Sequence, residues 1–550
     1  MVLNMLFDNY DLLMDSPNST VTLRKLILQH AVQGKLVEQD PTDEPADELL
    51  KRIKAEKEKL ITKGKIKKQK PLPEIAEEET PFEIPNGWVW ARLGNIFDIQ
   101  DYLRIPVNIA EREQREGPYP YYGANGQVGV IDDYIFEGER VLLAEDGGFF
   151  SDPIRGVAYI VNGRFWVNNH AHVLECLGGT CAKFWVSFFN RMDWGPLVRG
   201  MTRAKLNQAA MVQIPLALPP LAEQHRIVAK VDQLMQLCDQ LDAYQKKASS
   251  KYTSLNDAAL ETLLSSETIE EFAEHWQFLC NNFELIYNDP SHVNKLRRAI
   301  LQLAVQGKLS PQDPNDEPAS KLLKRIKSEK EKLITEGKIK KQKPLPPITE
   351  DEIPYELPEG WEWVRLGEIG KTQTGSTPPT SKREYYGNDY AFIKPADISG
   401  QGIRYNNGEG LSKKGIEKGR FIKAYSVLMV CIGGSIGKVN FVDRDCSCNQ
   451  QINAVTPYND VDFCLVNYNL ASPYFQNQVL TNAPSTTLPI LSKGKWENIP
   501  FPLPPLAEQK RIVSKADQLM HLCDELETRL NQSKKDSEML MQAVLYEAFS

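Results

Sequence analysis

The sequence predicts a mixed α/β (α+β) protein in which two globular domains are separated by two long antiparallel coiled-coil helices. Three observations lead to this fold class: a nearly exact internal repeat, two long segments with apolar residues at heptad spacing, and two unlike inserts built of short strand-like runs. Because the frame is duplicated, we expect its two copies to be related by pseudo-twofold symmetry.

The internal repeat defines the boundaries of the predicted regions. Residues 23–75 and 296–348 are identical at 42 of 53 positions without a gap. Similarity then disappears for more than a hundred residues. It returns in LPPLAEQHRIVAKVDQLMQLCDQLD, from Leu218, and LPPLAEQKRIVSKADQLMHLCDELE, from Leu503. We therefore divide the chain into a conserved helical region (1–87), a first insert domain (88–218), a long helix (219–265), a second conserved helical region (266–360), a second insert domain (361–503) and a second long helix (504–550).

The long helices are predicted from a narrow apolar seam in segments free of proline and glycine. The seam of the first helix is Ile227, Val231, Leu234, Cys238 and Leu241, and that of the second is Ile512, Ala516, Leu519, Cys523 and Leu526. Heptad spacing is typical of helices that bury against each other, so we expect two antiparallel helices of about 40 residues, roughly 60 Å long. The alternative is a pair of ordinary amphipathic core helices.

The composition is that of a globular protein without a membrane segment. The chain is 41% hydrophobic and 25% charged, carries a formal net charge of −8, and its nine cysteines are scattered. No apolar run reaches the roughly 20 residues of a membrane span, and the N-terminus lacks a secretory signal. Scattered cysteines indicate a reduced, cytoplasmic protein. The acidic charge argues against indiscriminate polyanion binding and leaves open a local basic face.

A short basic run follows each predicted amphipathic helix of the repeat. Its members are Lys63, Lys65, Lys67, Lys68 and Lys70 in the first copy, and Lys338, Lys340, Lys341 and Lys343 in the second. Such a run is either a solvated face or a contact for phosphate or for a protein partner, and the sequence does not choose between them.

Both inserts read as short strands separated by turns rich in glycine, asparagine and aspartate. Strand-like runs include Arg140–Leu143 and Ser426–Cys431, and a helix is expected around Phe184–Phe189. The turns carry residue types that read base edges or hold phosphates. As candidate DNA contacts we name Tyr121, Tyr122, Asn125, Arg155, Thr202, Arg203 and Lys205 in the first insert, and Thr374, Ser376, Lys382, Arg383, Lys394, Ser435, Lys438, Asn449, Gln450 and Lys493 in the second.

Some segments resemble motifs for catalysis or metal binding, but each lacks residues that the motif requires. The run Gly433–Val439 resembles a phosphate loop, but Ile432 stands where the first glycine is needed and Val439 where Ser or Thr is needed. Cys446 and Cys448 have no second cysteine pair or matching histidines for zinc. His170 and His172 are of a ligand type, but a solvated or core role is expected for them. We therefore predict no catalytic residue, no metal site and no cofactor in this chain.

The chain resembles the specificity (S) subunit of type I restriction-modification enzymes over essentially its whole length. The resemblance rests on the twin LPPLAEQ-x-RIV segments (218–228 and 503–513), the twin AVQGKL-x-x-QDP segments (31–41 and 304–314), and the aromatic turn YPYYGANG (119–126). In that family the inserts are target-recognition domains.

The resemblance implies a division of labour. Each target-recognition domain would read one half of a bipartite, asymmetric site in double-stranded DNA. The conserved helices would set the gap between the halves and dock two methyltransferase (M) subunits, which bind S-adenosylmethionine and methylate adenine. Restriction (R) subunits that use ATP and Mg would translocate and cleave DNA. The chain itself would be non-catalytic, within a site-specific deoxyribonuclease and adenine methyltransferase complex.

Three other functions are weighed against this one. The first is a duplicated enzyme in which one insert has drifted, and the second is an active methyltransferase or nuclease with a disguised site. The third is an adaptor whose helices gather protein partners without nucleic acid. The divergence between the inserts and their basic turns speaks against an adaptor.

Overall fold

The computed structural model describes residues 19–66, 70–150, 155–200, 204–406, 408, 410–484 and 488–549. The chain forms two compact units, the first made of residues 1–247 and 534–550 and the second of residues 248–533. The expected fold class is confirmed, because each unit combines helices with small sheets and two long helices occur where the seams are. Within the described ranges, no helix is long and apolar enough to cross a membrane.

The first unit contains the first conserved region and the first insert. Its helices are α1 (Ser19–Val32), α2 (Ala46–Thr62), α3 (Leu93–Ile96), α4 (Ile109–Gln114), α5 (Ala182–Phe189), α6 (Gln208–Met211) and the start of α7 (Leu221–Leu264). Its strands are β1 (Val89–Arg92), β2 (Phe97–Ile99), β3 (Tyr119–Gly123), β4 (Gly126–Ile131), β5 (Phe136–Glu137), β6 (Arg140–Ala144), β7 (Ala158–Val161), β8 (Arg164–Val167), β9 (Ala171–Cys176) and β10 (Pro215–Leu218).

The second unit contains the second conserved region and the second insert. Its helices are α8 (Ile269–Asn281), α9 (Phe283–Ile286), α10 (Pro290–Val305), α11 (Ala319–Thr335), α12 (Lys413–Lys418), α13 (Phe463–Ala471), α14 (Pro473–Asn482), α15 (Lys493–Glu497) and most of α16 (Leu506–Phe549). Its strands are β11 (Glu362–Arg365), β12 (Gly370–Thr374), β13 (Tyr386–Ile393), β14 (Ile398–Ser399), β15 (Gly402–Ile403), β16 (Gly410–Leu411), β17 (Val427–Val430), β18 (Val439–Phe441), β19 (Cys446–Cys448), β20 (Ile452–Pro457) and β21 (Pro500–Leu503).

The two inserts share the strand order of one four-stranded sheet although their sequences are unlike. Their second sheets share only a parallel pair, because β5 has no counterpart in the second insert and the β14-β15 pair has none in the first. A four-stranded sheet has the order β2-β9-β6-β7 in the first insert and β12-β20-β17-β18 in the second. A second sheet has the order β4-β3-β8-β5 in the first insert and β16-β13-β19 in the second, with β8 and β19 each parallel to its central strand. The first and last strands of each insert form an antiparallel pair, which is β1-β10 in the first insert and β11-β21 in the second. One scaffold therefore carries two different sets of loops.

Each long helix is 44 residues long, close to the predicted length. In the first unit, the α7 seam from Ile227 to Leu241 shares a hydrophobic core with α1 and with Met541 and Leu545 of α16. In the second unit, the α16 seam from Ile512 to Cys523 shares a core with α10 and with the last turns of α7. Each seam therefore also packs against the helix that ends in the AVQGKL segment of the same copy, a contact that the heptad pattern did not predict.

Matching ion pairs hold these helices together at equivalent places in the two copies. Arg24 of α1 bridges Asp239 at 2.7 Å and Asp242 at 2.9 Å. In the second unit, an arginine of α10 makes the same bridges: the pairs are Arg297–Asp524 at 2.6 Å and Arg297–Glu527 at 2.8 Å. These partly exposed pairs add register specificity to the apolar contact and contribute little stability on their own.

The repeated segment LPPLAEQ anchors the start of each long helix to its insert. Glu223 accepts a hydrogen bond from the Trp88 indole at 2.9 Å, and Glu508 accepts one from the Trp361 indole at 2.8 Å. The neighbouring glutamine, Gln224 or Gln509, accepts a backbone N–H at the start of α5 or α13. Both glutamates are 1% exposed, so the segment forms a buried polar joint.

The glycine of the repeated AVQGKL segment is required by the backbone. Gly34 and Gly307 both have φ of +71°, which L side chains rarely adopt. A Cβ at either position would also lie 2.5 Å from the ring of Pro85 or Pro358. The glycine therefore lets the chain leave α1 or α10 and pass directly over the proline.

The buried glutamate of the joint makes stability depend on pH. Burial raises the pKa of Glu508 to about 7, from an ordinary value of 4.5. The folded state therefore binds this proton more tightly, and the free energy of unfolding falls as pH rises from about 4.5 to about 7. Glu508→Gln keeps an acceptor for Trp361 and removes this titration. We expect the variant to equal the parent near pH 4.5 and to exceed it by about 3 kcal/mol above pH 7, in chemical denaturation across that range.

The matched control for this prediction is Glu547→Gln, an exposed glutamate near the end of the same helix. Its pH profile is expected to follow that of the parent. Equal pH slopes for the parent and Glu508→Gln would contradict the assignment of the titration to this joint.

Candidate nucleic-acid interface

The second insert brings four loops together, and we call this group the second edge: residues 374–378, 393–394, 431–438 and 448–452. They follow or precede the ends of β12, β13, β17 and β19. Backbone hydrogen bonds join the loops: Asn449 N donates to Ile393 O at 3.1 Å, Ser376 N to Cys448 O at 2.9 Å and Cys431 N to Gln451 O at 2.8 Å. Residues far apart in the sequence therefore lie on one polar surface.

Seven of the residues predicted to contact DNA lie on the second edge. They are Thr374, Ser376, Lys394, Ser435, Lys438, Asn449 and Gln450. Lys438 and Gln450 are exposed, whereas Asn449 is 8% exposed and exchanges hydrogen bonds with Gln451. The exposed members offer an ammonium and a carboxamide to a ligand, and Asn449 shapes the turn that presents them.

The other three predicted residues of the second insert lie outside this edge. Lys382 and Arg383 are exposed on the loop before β13 and remain candidates for phosphate contact. Lys493 lies 3.2 Å from the Thr372 hydroxyl and pairs with the carboxylate of Glu497, which is 8% exposed. Because its charge compensates a buried carboxylate, we do not retain Lys493 in the contact set.

The first insert forms a corresponding surface, which we call the first edge: residues 122–127, 144–150, 167–171 and 204–206. Its loops are joined in the same way: Asn168 N donates to Tyr122 O at 3.0 Å, Glu145 N to His170 O at 2.8 Å and Leu206 N to Glu145 O at 2.7 Å. We call the antiparallel pair β3-β4 the tyrosine hairpin. The first bond links this hairpin to the centre of the edge, and the third bond links the 204–206 segment to it.

Three predicted residues lie on the first edge. Tyr122 is half-buried and packs against the ring of Phe165, with 5.9 Å between ring centroids. Asn125 is exposed, and its amide donates to Gly147 O at 3.0 Å. Lys205 is exposed and lies 3.2 Å from the carboxylate of Glu145.

The remaining predictions in the first insert have different outcomes. Tyr121 is 1% exposed and its hydroxyl is held by the backbone of Val107, so it belongs to the core and leaves the contact set. The alternation of β3 turns its ring inward, although neighbouring Tyr122 looks the same in sequence. Arg155 is exposed and its guanidinium lies 4.7 Å from the centre of the Phe149 ring. Thr202 and Arg203 lie outside the described residues.

In each insert, a hydrogen-bonded pair of polar side chains lies at the end of the four-stranded sheet, next to the edge. In the first insert, His172 Nδ1 lies 2.5 Å from Asp101 and its Nε2 lies 2.9 Å from Leu206 O. At the equivalent register position of the second insert, the Thr374 hydroxyl donates to Asn453 at 2.8 Å. Both pairs tie the sheet to a loop of the edge.

Two carboxylates lie close enough to His172 to be potential metal ligands. Ligand atoms of Asp101, Glu145 and His172 lie within 4.8 Å of one another. Arg104 lies 2.8 Å from Glu145 and 3.5 Å from Asp101, so the negative charge is compensated by a guanidinium. The neutral pair in the second insert has no such ligands. The cluster is best described as an ion-pair network that supports the first edge.

The cysteines near the second edge are not poised for chemistry. Burial raises the pKa of the Cys446 thiol to about 12 and that of Cys448 well above its ordinary value. A thiol with so high a pKa is neither a nucleophile nor a ready thiolate ligand. Both belong to the apolar core behind the edge.

Asn169 was not among the predicted DNA contacts, but it is exposed on the first edge. A signal was present: Asn168–His170 and Asn449–Gln451 both consist of an asparagine, an amide and one further polar residue. The two triplets are recognisable as equivalent only once the strands on either side have been aligned.

The repeated basic runs begin where α2 and α11 have ended. Lys340, Lys341 and Lys343 are exposed, and Lys338 pairs with Glu336 at 2.8 Å. Lys67 and Lys68 lie outside the described residues.

Comparisons with known proteins agree with this architecture. The profile of the family "Type I restriction modification DNA specificity domain" matches residues 85–249 and 358–533, one match for each insert with the start of its long helix. The Escherichia coli protein "Type I restriction enzyme EcoAI specificity subunit" is 35% identical, and the alignment covers 93% of this chain and 91% of that protein.

Two further proteins extend the comparison. The EcoEI specificity subunit of Escherichia coli is 32% identical, over 93% of this chain and 91% of its own. The solved HsdS subunit from Thermoanaerobacter tengcongensis is 18% identical with a TM-score of 0.37, covering 86% of this chain and 98% of its own.

Proposed function

The chain belongs to the family of type I restriction-modification DNA specificity subunits, and from this we propose that its two inserts each read one half of a bipartite, asymmetric DNA site. One observation carries the proposal: the inserts share the strand order of a four-stranded sheet and differ in the loops that cover it. A shared scaffold positions each reader in the same way, whereas unlike loops present different side chains to base edges.

We further propose that the duplicated frame docks two copies of one partner, the methyltransferase subunit. Most exposed positions of α2 are identical in α11, as in Lys54 and Lys327, although Asp47-Glu48 is replaced by Ser320-Lys321. The fold does not require identity at exposed positions, so a common binding partner is its simplest cause. S-adenosylmethionine would be bound by that partner, and ATP with Mg by restriction subunits, so methylation and cleavage would be activities of the assembly.

The first test is a map of methylated adenines in cells that express this chain with its methyltransferase partner. We expect a bipartite motif that is absent without this chain. Exchange of residues 88–218 for the insert of another specificity subunit is expected to change one half of the motif and leave the other half intact.

Two results would count against this function. A change in both halves after exchange of one insert would mean that the inserts do not read independently. A stable complex with the methyltransferase but no motif that depends on this chain would favour an adaptor.

A further inference from the structure

The two edges contain the same three-residue turn at the same place in the fold. Residues 168–170 connect β8 to β9, and residues 449–451 connect β19 to β20. In each insert the strand before the turn is parallel to the tyrosine hairpin strand β3 or to its counterpart β13. The strand after the turn lies between two others at the centre of the four-stranded sheet.

Three hydrogen bonds of the turn are repeated in both inserts. The first residue donates its N–H to the parallel neighbouring strand, at 3.0 Å for Asn168 and 3.1 Å for Asn449. Its side-chain oxygen accepts the N–H of the third residue, at 2.8 Å from His170 and 3.1 Å from Gln451. The carbonyl of that third residue accepts a backbone N–H from the loop after β6 or β17, at 2.8 Å in both.

Only the middle residue of the turn is exposed in each insert, and it is a carboxamide both times. Asn169 and Gln450 are exposed, whereas their neighbours in the turn are buried or half-buried. The turn geometry does not involve the middle side chain, so nothing in the described contacts of the turn requires an amide there. The same functional group at the same exposed place in two otherwise unlike inserts indicates a shared ligand.

The amide in the second insert is also held in position. The Thr377 hydroxyl donates to Gln450 Oε1 at 2.6 Å. This bond uses one lone pair of the oxygen and leaves a second lone pair and both N–H groups of the amide for a ligand. An exposed glutamine ordered by a neighbour loses less side-chain entropy when it binds.

Each edge also carries a lysine. Lys205 lies on the first edge, and Lys438 lies on the second; both are exposed. Ammonium groups attract and hold a phosphate backbone, whereas a carboxamide carries the donor and acceptor needed to recognise the N6 and N7 atoms of adenine. A planar amide on the same edge as an ammonium group therefore offers both a donor and an acceptor to a base edge of duplex DNA.

We propose that the turns 168–170 and 449–451 are equivalent base-reading elements, in which Asn169 and Gln450 each contact an adenine edge, one in each half of the DNA site. Asn168 and Asn449 are positioning residues that hold the turns through their side-chain oxygens. This inference rests on the proposed function and adds the residues and the base that they recognise.

The test maps the methylation motif of the full assembly for Asn169→Ala and Gln450→Ala. A good bidentate contact discriminates against a wrong base by roughly 5- to 150-fold, so we expect about tenfold relaxation at a single adenine position. Asn169→Ala is expected to relax only the half read by residues 88–218, and Gln450→Ala only the other half. Both side chains are exposed, so thermal unfolding should not change.

Control variants are exposed amides elsewhere in the same inserts, Asn162→Ala and Asn406→Ala, which should leave every motif position unchanged. Thr377→Val removes the hydroxyl that orders Gln450 and is expected to relax the same position as Gln450→Ala to a smaller extent. Thr377→Ser keeps the hydroxyl and should restore discrimination.

Different results would overturn different claims. If the parent yields a bipartite motif but the variants keep every base preference, or lose methylation uniformly at all sites, the turns do not read bases. Relaxation at a guanine, a cytosine or a thymine would overturn the assignment of adenine. If the parent yields no motif that depends on this chain, the proposed function itself fails.

Discussion

Removing one heptad from each long helix is expected to shorten the tolerated gap between the two half-sites by about three base pairs. Seven residues of α-helix span roughly 10.5 Å at the standard rise of about 1.5 Å. Adjacent base pairs are about 3.4 Å apart along the duplex axis. Because the deletion equals one full heptad, the apolar seams keep their register on both sides of the cut.

The segments to delete are 246–252 in α7 and 531–537 in α16. No residue in either segment is buried, so the hydrophobic cores of the two units stay complete. The deletion must be made in both helices, because α7 and α16 each have residues in both units. Methylation of the original sites is expected to fall by at least tenfold, with new sites of shorter gap appearing in the same map.

A matched control replaces the same seven residues of each helix with alanine. This variant keeps the helix length and should keep the parental gap. Both half-site sequences are expected to remain unchanged in the deletion variant. An altered half-site, or an unchanged gap in a stably folded deletion variant, would contradict the hypothesis that the helices act as a spacer.

The second large effect is expected from Arg365→Ala, which removes a buried guanidinium at the base of the second insert. Arg365 is 3% exposed and forms a two-armed pair with Glu352, at 2.7 Å for each arm. It also donates to carbonyl oxygens of Pro346, Pro347 and Asn498. The side chain thereby ties the proline-rich segment before β11 to the insert.

Removal of one partner from a fully buried pair typically costs about 3–5 kcal/mol. Arg365 is buried but the Glu352 side chain is 35% exposed, so the cost here lies lower, at about 2–3 kcal/mol. We expect a loss of that size in the free energy of unfolding of Arg365→Ala, measured by chemical denaturation. Amide hydrogen exchange should show faster exchange in residues 349–353. Arg365→Lys keeps the charge but not the planar fork, so it should recover only part of the loss.

The pair also has a defined pH dependence. The hydrogen bonds from Arg365 lower the pKa of Glu352 to about 2. Its contribution is therefore present above the ordinary carboxyl pKa of 4.5 and is lost as pH falls towards 2, so the difference between parent and variant should shrink in that range.

Two further substitutions test whether the pair between Arg365 and Glu352 stabilises the second insert. Arg92 makes the same pair with Glu79 in the first unit, and Arg92→Ala should behave alike. Arg444→Ala is the surface control, because that side chain is 60% exposed and should change stability by less than about 0.5 kcal/mol. A loss for Arg365→Ala no larger than that of the control would show that the buried pair is not a main support of the insert.

Local patterns were sufficient for the elements but not for the shared architecture of the inserts. The runs around Leu142 and Met429 form strands β6 and β17 as predicted, and the helix around Phe184–Phe189 is α5. The strand order common to their four-stranded sheets was not predicted. Strand order depends on pairing between segments far apart in the chain, and unlike core side chains can support the same pairing.

The candidate site shows the same limit at single residues. Gln450 and Lys438 were selected by residue type and lie exposed on the second edge. Tyr121 was selected for the same reason and is buried, whereas Lys493 is half-buried and pairs with Glu497. Residue type states what a side chain offers chemically. Its exposure is set by the strand face on which it lies and by the charges packed against it.

The sequence by itself determined the repeat, the family, the long helices and the absence of known catalytic motifs, because each of these is written in residue spacing or in identity between the two copies. The tertiary structure decided which loops form each edge, and it placed Asn169 at the same position as Gln450. It also showed that the repeated glutamate of LPPLAEQ accepts a hydrogen bond from a buried tryptophan indole. These are properties of contacts between residues about 20 to 150 positions apart in the chain, and such contacts leave no periodic mark in the sequence.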